Sequence, residues 1–379
     1  MKIARNHGQP FWRISSDKVE AVITRKGGHL APVRFRLPHA TIEPFSIAPW
    51  AEDKLSAQTP EILRLLRGDF FCAPFGENET PWRGEKHPAH GETAQAPWRL
   101  ESIKKSKTGI ELHLSLRTKI RAGRVDKKLR LRRGETVLYC QHIISEMTGK
   151  MNFGHHATLK FPDQAGSGLI SMSPIHFGQV LPSALEEPTS GGYSCLKPGA
   201  LFSRLDHVPT VDGGLANLSW YPDRPGFEDL VMVAHKAASS FAWTAVTFPE
   251  QRHVWFALKD PRVLSSTVLW CSNGGRHYAP WNGRHLSVLG IEDVTSYFHY
   301  GLAESARANR VNRRGIPTCL TLKKSTPLVV NYIMAVAAIP RGWGRVASIT
   351  PDQDGVTLLS EKESPIRVSL DFNFLHAKA

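Results

Sequence analysis

Two histidines and two carboxylates carry the chemistry this sequence can offer. His90 stands in Pro88-Ala89-His90-Gly91, and His156 is the second of the pair His155-His156 in a run that ends at Phe161-Pro162. Asp229 follows Phe227-Glu228, and Glu292 lies between Ile291 and Asp293. These groups suffice for general acid–base work on a sugar. A carboxylate takes a proton from a hydroxyl while an imidazolium gives one to a leaving or ring oxygen, and the surroundings must hold the two pKa values apart. Each residue also has a plainer reading. His90 would cap a turn, His155 and His156 would be strand neighbours with one side chain buried and one exposed, Asp229 would cap a strand end, and Glu292 would be solvated. A metal reading would join His87, His90 and His156, but Pro88 breaks the helical i,i+3 spacing of the first two, so no metal is expected.

The segment that must present these groups is residues 68–100. It mixes Gly, Pro, Trp, His and carboxylates without helical or alternating period, as functional loops do. Around it the chain reads as short strands. Val19 and the residues to Arg25 alternate, Gly27-Gly28 turn, and Leu30 to Leu37 resume, which is a hairpin. Residues 61–67 carry one helical turn stopped by Gly68. Ile110, Leu112, Leu114 and Leu116 alternate with polar residues, and a meander follows through Val125 to Leu131, a turn at Gly134, and a strand from Thr136 to Ser145. Beyond residue 165, Pro and Gly cut the chain into loops, and strands return near residues 230, 241, 253, 266, 318, 328, 356 and 366. Many short strands and few helices predict an all-β fold, a large antiparallel sandwich in a single domain over residues 1–379.

Composition narrows the class. Hydrophobic residues make up 41% and charged residues 22%, as in ordinary globular proteins. No apolar run reaches membrane-spanning length and the N-terminus lacks a signal-peptide core, so a cytoplasmic location without membrane contact is expected. The five cysteines are scattered without a Cys-x-x-Cys pair, pointing to buried free thiols. The net charge of +14 raises the question of nucleic acid. The densest basic run, residues 117–133, alternates with apolar residues like the solvated face of a strand pair. No nucleic-acid partner is expected; the charge tilts the ligand toward an anionic small molecule.

The order of these sites resembles the galactose mutarotase-like superfamily, which contains the aldose 1-epimerases. His90-Gly91 is followed by Trp98 at the family's offset. His156-Ala-Thr-Leu-Lys-Phe-Pro is similar to the family's strand-end histidine motif, with Thr158 replacing the usual aromatic. Leu289-Gly-Ile-Glu292-Asp293 approaches its glutamate motif, with Asp293 in place of Pro. The chain departs from the family where Asn78 is followed by Glu79 instead of Arg, leaving Arg83 as the nearest substitute, and where Ala94 stands in place of Arg. The resemblance implies a β-supersandwich with a groove for a pyranose and no cofactor. It implies that Glu292 accepts the anomeric hydroxyl proton and His156 protonates the ring oxygen. His90, Asp229, Asn78, Arg83 and His155 would bind hydroxyls, while Trp82 or Trp98 would stack on the ring. The alternatives are a non-catalytic carbohydrate-binding protein on the same fold and a binder of anionic polymers through residues 117–133.

Overall fold

The computed structural model describes residues 5–235 and 239–378. Its framework is a pair of large sheets in which every strand pairing is antiparallel. One has nine strands; Val137–Ser145, Leu328–Ala338 and His253–Lys259 run through its middle. The other has eight, with Phe227–Ala234, Ser266–Asn273 and Val288–Thr295 at its centre. The period-2 signal survives where one face meets solvent. In Gly123–Arg132 every second residue is buried, so Val125, Leu129 and Leu131 enter the core while the arginines stay outside.

Alternation along the central strands builds three layers of apolar packing. Val231, Val233, Leu269 and Ile291 of the eight-stranded sheet share a core with Leu112, Leu129, Tyr332 and Met334 of the nine-stranded sheet. The outer face of the nine-stranded sheet, with Tyr139, Phe256 and Ile333, is covered by a C-terminal sheet of Val346–Asp352, Gly355–Ser360 and Ile366–Ser369. The outer face of the eight-stranded sheet carries Leu230, Met232, Val268 and Trp270 and is covered by loops that contribute Trp50, Phe70 and Trp281. This last face holds the candidate site.

The N-terminal hairpin forms as expected, with Val19–Thr24 and Leu30–Arg36 joined through Gly27 and Gly28 at positive φ. The helical turn is Glu61–Leu65. Six strands inside the stretch read as loop, the longest being Gly168–Met172 and Phe177–Val180, escaped the sequence reading because they are short. Glu292 is not solvated; it is buried inside Val288–Thr295, where Gly290 and the Glu292-Asp293 pair obscure the apolar pattern. No described helix is long and apolar enough to cross a membrane.

Candidate active site

The loop that carries His90 is built on backbone no ordinary residue adopts freely. His90 and Gly91 both have positive φ, and a Cβ at Gly91 would meet the Ala73 carbonyl oxygen at 2.3 Å. Asn78, at φ 57°, pins the loop: its side-chain amide donates to the carbonyls of Pro74, Gly76 and Pro88, and its Oδ1 accepts the Leu302 N–H at 2.9 Å. Asn78 therefore shapes the wall and does not line the cleft. The loop's tight return sets the His90 ring on the outer face of the eight-stranded sheet, edge-on to His156 with 5.0 Å between centroids.

His156 points to this face and His155 to the other, as the strand period requires. His155 is fully buried, its Nδ1 3.0 Å from Asp69 Oδ2 and its ring stacked on Tyr332 in the inter-sheet core. His156 is packed under Phe70, and its Nε2 lies 3.2 Å from Glu292 Oε1. Burial drives both members of this pair toward their uncharged forms. It raises the Glu292 carboxyl well above its usual range, assisted by the negative charge of Glu77, and lowers His156 to about 3. With the single proton on Glu292, the carboxyl donates to Nε2 and the His156 Nδ1–H faces Thr158 Oγ1 at 3.3 Å. Thr158, in place of the family's usual aromatic, is able to accept that proton. His90 is also held neutral by burial; its Nδ1 accepts the Gly76 N–H at 3.4 Å and faces Cys72 Sγ at 3.5 Å, so Nε2 carries the proton.

The cleft has a volume of about 450 Å³, and its far side is aromatic. Trp270 and Trp281 meet edge to face, and the Arg276 guanidinium lies 4.4 Å above the Trp281 ring and 5.6 Å from that of Trp270. Arg276 Nε donates to Glu186 Oε1 at 2.5 Å, and Tyr278 Oη donates to the same carboxylate. Beneath them Glu228 accepts from Trp270 Nε1 at 3.0 Å and Ser272 Oγ at 2.8 Å, which locks the indole. Burial raises Glu228 to about 7 against the pull of Arg276.

His90, His156 and Glu292 are brought together; the other sequence candidates are not. Asp229 is one residue out of phase with the site face. It accepts the backbone N–H groups of Cys195 and Leu196 at 3.0 and 2.9 Å, whereas its neighbour Glu228 faces Trp270. Trp98 is buried in the inter-sheet core with its Nε1 donating to the Thr93 carbonyl, so it presents no ring to the cleft. Trp82 and Arg83 form a surface turn in which the guanidinium lies 5.4 Å from the indole, away from the cleft lining. The stacking rings and the cation come instead from Trp270, Trp281 and Arg276, which the sequence reading passed over. Trp270 was visible as a strand residue, but only the pairing of Val268 with Glu292 puts it on the site face. Arg276 and Glu186, 90 residues apart, meet only through the fold. His87 turns to Glu85 at 3.0 Å, and among the described residues no cluster of three His, Cys, Asp or Glu side chains is arranged to hold a metal.

No protein-family model matches the chain, and a search among curated proteins finds no match. Solved structures do match. A protein from Escherichia coli K12, provisionally named an aldose 1-epimerase, superposes with a TM-score of 0.58 at 12% identity, covering 88% of this chain and 100% of that one. Another of the same provisional name, from Klebsiella pneumoniae, gives 0.61 at 13% identity over 88% of this chain and 82% of the other. A galactose mutarotase-like protein from Clostridium acetobutylicum gives 0.58 at 13% identity, over 89% and 98%. At these identities the likeness speaks for architecture, and the chain has the all-β sandwich fold of the galactose mutarotase-like proteins.

Proposed function

We propose that the chain is a carbohydrate mutarotase of the aldose 1-epimerase kind, acting on a pyranose held against Trp270 and Trp281. The observation that carries this reading is the contact between His156 Nε2 and Glu292 Oε1, 3.2 Å, at the base of an open cleft with an aromatic side. An anomeric centre inverts when one proton leaves its hydroxyl and one reaches the ring oxygen. The ring then opens to the aldehyde and recloses on either face. The pair needs one proton in total for this exchange. In the ionised arrangement Glu292 takes the hydroxyl proton and His156 delivers the other, and transfer across the 3.2 Å contact connects that arrangement with the neutral one favoured by burial. His90, its proton on Nε2, is suited to donate to a hydroxyl. Arg276, steadied by Glu186 and both indoles, is suited to span two neighbouring oxygens.

The test is proton-exchange NMR on a panel of neutral, phosphorylated and acidic aldoses. Wild-type protein should accelerate interconversion of the anomers of at least one sugar, and Glu292→Gln should lower that rate about 10² to 10⁴-fold. Unchanged exchange in the variant would remove Glu292 from the chemistry. Line broadening without any acceleration would assign the chain to the non-catalytic sugar binders.

A further inference from the structure

The positive charge of this chain is unevenly compensated. Within residues 117–133 five of the six arginines are matched to carboxylates: Arg117 to Glu146, and Arg121 to Glu85, Arg124 to Asp126, Arg130 to Glu111 and Arg132 to Asp371, the last four at 2.5 to 2.8 Å. Residues 307–314 carry Arg307, Arg310, Arg313 and Arg314 within eight positions, all exposed. Among the described residues none of these four has a carboxylate within ion-pair distance.

The segment is nonetheless held in one shape. Asn309 Oδ1 accepts the N–H groups of Val311 and Asn312, its amide donates to the carbonyls of Glu304 and Arg307, and Asn312 returns a bond to the Asn309 N–H. Val311 is completely buried below. Rigid like charges without counter-charges cost free energy unless an anion arrives to meet them. Arg310, Arg313 and Arg314 also enclose a surface pocket with Phe177 and Leu201, the Arg314 guanidinium 4.9 Å from the Phe177 ring.

The position of this pocket on the sheet is informative. Phe177 pairs with Ala234, Ala234 with Ser266 and Ser266 with Val294, while Glu292 pairs with Val268 one step along the same face. Three strand spacings and two residues of rise place Phe177 on the order of 15 Å from Glu292. The cleft itself is lined by Glu77, Glu79 and Glu186, with Glu292 held uncharged by burial, against the single guanidinium of Arg276, whose Nε already bonds Glu186, so it offers little to an anionic ring.

We propose that Arg310, Arg313 and Arg314 form a subsite for the carboxylate or sulfate groups of an acidic oligosaccharide whose other end enters the cleft at His156 and Glu292. The proposal rests on the sugar-binding reading of that cleft. Guanidinium forks suit both anions through paired, charge-assisted hydrogen bonds, and Phe177 and Leu201 supply apolar contact for the sugar ring between them.

Isothermal titration of the full chain tests it, with a heparin-derived hexasaccharide as the sulfate probe, a galacturonate hexamer as the carboxylate probe, maltohexaose as the neutral control and a single-stranded DNA oligomer. One acidic hexasaccharide should bind wild type about tenfold or more tightly than the combined Arg310→Ala, Arg313→Ala, Arg314→Ala variant, with a steeper salt dependence. The corresponding Lys variant should keep part of the gain. That hexasaccharide should also displace a monosaccharide from the cleft, and monosaccharide affinity should be equal in all three proteins. Equal hexasaccharide affinity in wild type and the Ala variant, tighter binding of DNA than of either acidic sugar, or failure to displace the monosaccharide would overturn the proposal. Anomer exchange is read separately: its absence beside an arginine-dependent affinity would overturn the catalytic reading and leave the subsite standing.

Discussion

His156 and Glu292 hold one titratable proton between them, and its location sets the pH response of the proposed reaction. The pair gains a second proton only when His156 is protonated, near pH 3, and loses its last when Glu292 ionises, above the usual carboxylate range. The acid limb of kcat/KM therefore lies far below the 6.5 of an ordinary imidazole. Measured wherever circular dichroism shows the fold intact, kcat/KM should not fall between pH 7 and 5.5. A limb centred near 6.5 would mean that the free protein carries His156 charged, and that the neutral pair described above is wrong. Thr158 matters here as well. Its hydroxyl is 3.3 Å from the other ring nitrogen, so it can accept a proton-bearing Nδ1 in either state of the pair.

At the scale of elements, the His90 loop is the part that sequence changes should disturb most selectively. A methyl group at Gly91 would lie 2.3 Å from the Ala73 carbonyl oxygen, and φ there is 75°. Gly91→Ala should therefore cost about 1 to 3 kcal/mol and shift His90 from its contact with His156. A lowered melting temperature together with a lost anomer-exchange rate is the expected result; full activity at wild-type stability would show that the loop tolerates a different course. Such positions explain what was legible in the sequence. The His-Gly motif, the hairpin at Gly27-Gly28 and the alternation around Ile110 to Leu116 are local signals, and each maps to the structure. Parity between strands is not local. Without pairing information, Asp229 and Glu228 are equivalent candidates, and only the opposition of Glu228 to Ser272 and of Leu230 to Trp270 puts Glu228 on the site face. The aromatic wall was missed for the same reason. Trp281 and Arg276 lie in a loop with no period that folds back onto Trp270 of the preceding strand, and Glu186 reaches them from 90 residues away.

For the molecule as a whole, the many imidazoles enclosed in uncharged form set its tolerance of acid. Burial lowers His29, His156, His235 and His285 to about 3, His253 and His299 to about 4, and His90 and His142 well below 6.5. Each is deprotonated in the fold at pH 5, while the unfolded chain takes up its proton near 6.5. The unfolded state then binds more protons than the native one, so stability falls as pH falls, by up to about 1.4 kcal/mol per pH unit for each such group. Glu228, raised to about 7, and Glu77, Glu135 and Glu292, all raised by burial, act in the opposite sense, because the fold protonates them before the unfolded chain does. Four carboxyls do not offset eight imidazoles. Asp69, held below its ordinary value by His155 despite burial, joins the histidines at lower pH. The melting temperature should therefore drop steadily from pH 7 to pH 5 in differential scanning calorimetry, and His142→Phe should flatten the slope by removing one proton from the unfolded-state excess. His142 is suited to this test because its ring is stacked 4.0 Å from Phe71 and neither nitrogen has a hydrogen-bond partner among the described residues. A melting temperature that is constant or rises on acidification would mean that these rings reach solvent and titrate within the folded chain.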